Sequence, residues 1–193
     1  MFLWLDLETV GLDPDSGEIL EVAWFISDNW ELLTNVKSHV VTPTRDTFEL
    51  IKQDMFAQTV HYDNLLMADL LWNRTVLLED IEDMILRDLH RNNDQDVVPI
   101  LAGSSVHFDR SFIRKYMPRL DDQLSHRHFD ASTLMMFFNS LGYYDYAKRE
   151  YSSTHRAYND VQDSYKLARK YVNMMNLLVD EIEDDNDAQR KSQ

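Results

Sequence analysis

Two apolar runs open the chain, Phe2-Leu3-Trp4-Leu5-Asp6-Leu7 and Ile19-Leu20-Glu21-Val22-Ala23-Trp24-Phe25-Ile26-Ser27. Their length and near-continuous apolar character predict buried strands. Between them, Gly11-Leu12-Asp13-Pro14-Asp15-Ser16-Gly17 sets Gly, Pro and Asp in turn positions and predicts a hairpin-like connection. A third strand is predicted over 31–41, ending at Thr42-Pro43, where proline would interrupt a ladder. From about 46 to 90 the spacing lengthens, and Ile81, Met84, Ile85 and Leu89 recur at helical intervals among acids. That pattern predicts a helical insert followed by an amphipathic helix. Val97 to Ala102 reads as a short core strand ending at Gly103, with a helix over about 108–117 stopped by Pro118. Two more helices are predicted at 131–140 and 155–178, the latter with Tyr165, Ala168, Tyr171 and Val172 on one side. Strands first, then helices alternating with a strand, predict a mixed α/β sheet with helices packed on it. No repeat or linker divides the chain, so one domain is expected over 1–178, followed by an acidic, disordered tail at 179–193.

Composition narrows the chemistry. A chain of 193 residues, 44% hydrophobic and 27% charged, has an ordinary globular balance and can bury a core. It contains no cysteine, so thiolate nucleophiles, disulfides and Cys-ligated zinc are excluded, and any metal must sit on oxygen or imidazole. The start, Met1 to Asp6, lacks a basic segment and meets an acid early, unlike a signal peptide. No stretch approaches the roughly 20 apolar residues of a membrane helix, so a soluble, cytoplasmic protein with no membrane partner is expected. The net charge of −15 opposes tight binding of long nucleic acids, which needs a basic track. Nucleic-acid chemistry here would require a short substrate or metal ions that offset the charge.

The sharpest local feature is Asp6-Leu7-Glu8, because alternation on a strand sets both carboxylates on one face. Burying two acids is costly unless a cation neutralises them, which suggests a hard divalent ion of the magnesium or manganese kind. A solvated edge strand would account for the pair equally well. Asp109 lies just past a core strand, where ligand-binding residues collect in α/β sheets, and is also an ordinary helix-start residue. In His155-Arg156-Ala157-Tyr158-Asn159-Asp160, a spacing of five is about 500° of helical rotation. The pair therefore fits better with His155 just before a helix and Asp160 inside it. Other acidic groups read as structural. Asp13, Asp15 and Glu18 lack the remaining ligands of a calcium loop. Glu79-Asp80-Ile81-Glu82-Asp83 reads as a solvated helix face. Neither a Gly-x-Ser-x-Gly nucleophile nor a phosphate-binding Gly-rich loop is present.

Taken together, Asp6, Glu8, Asp109, His155 and Asp160 resemble the DEDDh pattern of 3′–5′ exonucleases: Asp-x-Glu on the first strand, a middle Asp, and a late His-x-x-x-x-Asp. The flanks around residues 5–14, Asp109-Arg110-Ser111-Phe112, Lys115-Tyr116-Met117-Pro118 and Asp130-Ala131-Ser132-Thr133-Leu134 look like those of the oligoribonucleases within that family. The resemblance spans roughly residues 2 to 172. It implies a ribonuclease-H-like mixed sheet flanked by helices and two divalent ions, Mg2+ or Mn2+. Asp6 would bridge both ions, Glu8, Asp109 and Asp160 would complete their shells, and His155 would accept the proton of the attacking water. By the same resemblance Leu12 would wedge between bases and His61 would stack on one. Ser105, Arg127, Ser132 and Thr133 would close around a 5′ phosphate, with part of the cap supplied by the second subunit of a homodimer. The implied substrate is a short single-stranded oligoribonucleotide, down to a dinucleotide, with DNA as the alternative.

The chain departs from that pattern at His126, where a Tyr is frequent, in the composition of 142–154, and in the extra acidic tail. Two rivals stay open at this point. One is a general, proofreading-like single-strand DNA or RNA exonuclease using the same five residues; the other is a non-catalytic scaffold that keeps the fold and binds partners through its acidic surface.

Overall fold

The structure, a computed structural model, describes residues 1–72, 74–93, 96–143 and 154–191. Its sheet is built on β1 (Phe2–Val10), which pairs antiparallel with β2 (Glu18–Asp28) and parallel with β5 (Ile100–Gly103). The order is β3-β2-β1-β5-β6, where β3 is Glu31–Leu32 and β6 is His128–Asp130, while β4 (Lys37–Val40) also pairs with β2. The helices are α1 (Thr47–Gln53), α2 (Met55–Asp63), α3 (Leu66–Trp72), α4 (Leu78–Arg91), α5 (Val106–Tyr116), α6 (Pro118–Gln123), α7 (Ala131–Ser140) and α8 (Ala157–Lys191).

Both faces of the central strands are buried, which is why their sequences read as nearly continuous apolar runs. Leu3, Leu5 and Leu7 pack with Val22, Trp24 and Ile26 against residues of α4 and α5. Trp4 packs with Ala23 and Phe25 on the opposite side, against α7 and α8. There the Trp4 ring stacks on Phe25 at 6.0 Å and meets the edge of Tyr165 at 5.2 Å. Its indole N–H donates to Ser27 Oγ at 2.9 Å, so the buried donor is satisfied. A third cluster, Val10, Leu20, Ile51, Ala57, Leu66 and Leu70, seats the insert α1–α3 on the far end of β1 and β2.

The structure departs from the periodicity in five places. The expected third strand is split, because the chain turns through left-handed residues Asn29 and Trp30 and the Thr34 hydroxyl accepts the Ile26 N–H at 2.9 Å. Val97 and Val98 stand exposed outside the sheet, and β5 begins only at Ile100. Pro118 ends α5 but also starts α6, since its missing N–H and fixed φ suit a first helical position. Glu82, read as solvated, is 4% exposed; it accepts the Leu120 N–H and pairs with Arg119. Finally, α8 continues as helix through Lys191 instead of fraying near 178, in keeping with a stretch that holds neither Gly nor Pro. The His155–Asp160 placement agrees with the expectation, because α8 starts at Ala157.

The loop joining β1 to β2 makes a close approach at Gly17, where a Cβ would lie 2.3 Å from the Val10 carbonyl oxygen. Gly17→Ala is therefore expected to destabilise the fold by about 1–3 kcal/mol, as overpacking against rigid backbone does. Urea unfolding monitored by tryptophan fluorescence measures it, and an unchanged midpoint would count against the tight turn.

Candidate active site

Along β1 the residues facing α8 are Phe2 and Trp4, then Asp6 and Glu8, so one face passes from aromatic to acidic within two pleats. The aromatic half holds α8 through Tyr165, Ala168 and Tyr171. That docking brings the first turn of α8 to the acidic half. One ligand atom each of Glu8, Asp160 and His155 lie within 4.8 Å of one another, and these residues could share a metal ion. The register between β1 and β2 shifts at Glu8/Thr9, a bulge of the kind that re-aims side chains near functional sites.

Asp109 arrives from the other edge. Strand β5 pairs with β1 only through Trp4, which leaves the Leu7 N–H beyond the ladder; Asp109 Oδ1, from the first turn of α5, accepts it at 3.1 Å. Glu8 and Asp109 are thereby left 7% and 4% exposed, with little water around them, while Asp6 and Asp160 are half-buried at the pocket. Burial pushes Glu8 up to about 8, and Asp160 and Glu21 add repulsion while Arg156 offsets part of it. Burial likewise pushes Asp109 up to about 8 against the opposing Leu7 hydrogen bond. Asp6 is raised well above the carboxylate range by burial first and by Asp109 and Glu8 next.

A pocket of about 320 Å³ opens over this cluster, lined by Asp6, Glu8, His155 and Asp160 together with Leu12, Phe56, His61 and Ser105. The structure thus brings together on one pocket four of the five residues of the sequence pattern, with Asp109 directly behind. Leu12 stands 85% exposed at the rim. His61 is 2% exposed, with Nε2 3.1 Å from the Thr9 carbonyl and a buried Nδ1 without a hydrogen-bond partner. Burial lowers its pKa, so the neutral ring donates from Nε2 and keeps Nδ1 as an acceptor. The exposed aromatic on that wall is Phe56, whose ring meets His155 edge-on at 5.7 Å. The sequence reading missed Phe56. Its only signal is an apolar residue two places after Asp54, whose carboxylate caps α2 by accepting the Phe56 and Ala57 N–H groups.

Arg127, Ser132 and Thr133 lie outside the walls of this pocket. Of the three, Ser132 is tied to the pocket, because the Asp130 carboxylate accepts the N–H groups of Ser105, Val106 and Ser132 at 3.1, 3.2 and 2.8 Å. Asp130 thereby ties the Ser105 turn to the start of α7. Residues 144–153, within the segment whose composition departs from the resemblance, lie outside the described residues.

A mixed sheet in this order, flanked by eight helices among the described residues and carrying acids on its central strand, defines a ribonuclease-H-like fold. The chain belongs to the RNase T exonuclease family, whose profile matches residues 3–168. Among curated relatives, it is 37% identical over 133 residues to an oligoribonuclease of Corynebacterium diphtheriae, covering 68% of this chain and 62% of that one. It is 33% identical to an oligoribonuclease of Corynebacterium glutamicum, covering 85% and 74%, and 33% identical to a probable oligoribonuclease of Drosophila melanogaster, covering 88% and 79%. The chain thus spans about six tenths of the length of the first of these relatives. Among solved structures, the zinc-bound E. coli exonuclease I complex with single-stranded DNA superposes with a TM-score of 0.67. That match is 15% identical and covers 93% of this chain and 42% of that one, so it speaks for the fold alone.

The donors fit a divalent cation: oxygen and imidazole ligands converge, and the raised carboxylates lack the compensating charge that such an ion would bring. The same burial has a measurable consequence. Glu8 and Asp109 hold protons up to about 8 in the folded chain and release them near pH 4 when unfolded. Between those limits the folded state binds more protons, so their contribution to stability falls as pH rises through the window. The melting temperature of the metal-free protein is expected to drop between pH 5 and pH 8, less so in Glu8→Gln, and Mn2+ should raise it more at pH 8 than at pH 5. A flat profile in both proteins would show that these carboxylates are solvated.

Proposed function

We propose that the chain is a 3′–5′ exoribonuclease that hydrolyses short single-stranded oligoribonucleotides, down to dinucleotides, to mononucleotides with two divalent ions, Mg2+ or Mn2+. The observation that carries this reading is the convergence of Asp6, Glu8, Asp160 and His155 on one pocket with Asp109 behind them on the Leu7 N–H, three of the acids with strongly raised pKa. Membership in an exonuclease family with oligoribonucleases among its relatives supports it.

On this reading Asp6, Glu8, Asp109 and Asp160 hold the metal ions. When bound, such ions stabilise the attacking and leaving oxygens of an in-line displacement at phosphorus. His155, half-buried at the pocket mouth, accepts a proton from the attacking water, the general-base role that a positioned imidazole can fill. Leu12 separates the two bases and Phe56 offers the aromatic face, whereas His61, at 2% exposed, is too buried for the base-stacking role expected of it and backs the wall through its Thr9 contact. A bounded pocket in a protein of net charge −15 suits a substrate with few phosphates better than a long strand. Arg127, Ser132 and Thr133 close on the 5′ phosphate, and a second copy completes that cap. Exposed Met136, Phe137 and Leu141 on and just after α7 supply an apolar face beside it for the homodimer.

Cleavage of 5′-labelled RNAs from two to about twenty nucleotides long, the range over which a capped pocket and an open track differ, tests the assignment, with Asp6→Asn as control. Rates that peak at the dinucleotide and vanish in the variant and in excess chelator are expected. Steady trimming of long RNA or DNA would make the chain a general exonuclease, and no cleavage at any length would leave a scaffold. The cap is tested separately. Arg127→Ala is expected to weaken dinucleotide binding by about tenfold, the loss of one charge-assisted contact, and to affect longer RNA less. Equal losses at every length would reject the cap.

A further inference from the structure

His155 occupies a backbone conformation that a histidine seldom adopts, with φ at +50° in the left-handed region. A non-glycine residue is held there only where the surroundings over-determine it. The surroundings here are specific. On the N-terminal side, the Thr154 N–H donates to Asp160 Oδ1 at 3.2 Å, and the Asn159 amide donates to the Thr154 hydroxyl at 3.1 Å. On the C-terminal side, the Ala157 N–H and the Arg156 Nε both donate to Glu21 Oε2, at 3.1 and 3.0 Å. Arg156 also reaches Asp69 at 2.7 Å and the Asn64 carbonyl at 3.2 Å. In the middle, the carbonyl of His155 itself accepts the Asn64 side-chain N–H.

Asn64 and Asp69 belong to the insert, at the end of α2 and in α3, and α2 is the helix that carries Phe56 and His61 into the pocket. The wall proposed to receive the nucleotide and the segment bearing the proposed base are therefore one hydrogen-bonded unit. We infer that Asn64 is a positioning residue for His155: its amide clamps the His155 carbonyl and so fixes the imidazole relative to the insert. The inference rests on the reading of His155 as the base. The Asn64 side-chain amide N–H donates to the His155 carbonyl, so the effect of that donor on the reaction runs through His155.

The side chain has a second, purely structural duty, since Asn64 Oδ1 accepts the Leu66 N–H at 3.0 Å at the start of α3. Asn64→Asp keeps that acceptor and removes the donor, whereas Asn64→Ala removes both. With wild-type protein and a 5′-labelled diribonucleotide in Mn2+, Asn64→Asp is expected to lower kcat about tenfold, the scale of one lost hydrogen bond at a reacting centre, with KM and melting temperature near wild type. In a His155→Ala background the same change should have no further effect on the residual rate, because the backbone carbonyl is still clamped or released as before but the imidazole it positions is already gone. Wild-type kcat in Asn64→Asp, with a deficit only in Asn64→Ala, would reduce Asn64 to a helix cap and overturn the inference. So would an undiminished tenfold effect in the His155→Ala background. Wild-type protein inactive on every RNA would instead remove the functional reading, and this inference with it.

Discussion

The structure depends on keeping ionisable carboxylates where water scarcely reaches them. Holding Glu8 protonated up to about 8 means that ionising it in place costs on the order of 5 kcal/mol more than in water. That is comparable to the whole net stability of many domains. The penalty cannot be relieved within the strand, because Asp6 and Glu8 share a face and Asp109 closes the remaining side. The fold has to supply the compensation elsewhere. It does so immediately next door, where Trp4, Phe25 and Tyr165 form a dry aromatic contact on the same face of the same sheet.

This adjacency explains the architecture of the site. An aromatic anchor two residues before Asp6 fixes the position and tilt of α8, and the tilt of α8 fixes Asp160 against Glu8. The parallel partner β5 must stop at the level of Trp4, or its backbone would occupy the Leu7 N–H that Asp109 takes. Glu21, paired in register with Glu8, would add a further buried charge were it not neutralised by the fork of Arg156. Stability and site geometry are thus set by the same few contacts, and a change in one is felt in the other.

The sequence revealed what is periodic or chemically costly. Buried strands, the amphipathic α4 and the turn at 11–17 follow from pattern, and the acids of β1 drew notice because a core strand does not carry two carboxylates without cause. What stayed hidden depends on partners distant in the chain. Strand β6 is three residues with one apolar side chain, and it exists because β5 offers it a parallel edge. Glu82 looks solvated until Arg119 and the Leu120 N–H arrive from α6. Phe56 and Asn64 gain meaning only when α2 folds back over the start of α8. Arg127, Ser132 and Thr133 came from resemblance alone; none lines the pocket, and only Ser132 is linked to it, through Asp130.

Charge and substrate choice follow from the same constraint on the proposed reading. Once metal binding has driven the protons off, four carboxylates contribute −4 and two divalent ions contribute +4, so a loaded site is close to neutral. Metal binding then offsets the cost of burying Asp6, Glu8 and Asp109 and removes the barrier to an anionic substrate in one step. The rest of the surface stays acidic, at −15 for the chain before any ion binds. Every phosphate that extends beyond the pocket meets that field without a basic track to hold it. On the proposed reading the neutralised pocket attracts the one or two phosphates it can enclose and the remaining acidic surface disfavours more, which acts in the same direction as the proposed 5′ cap.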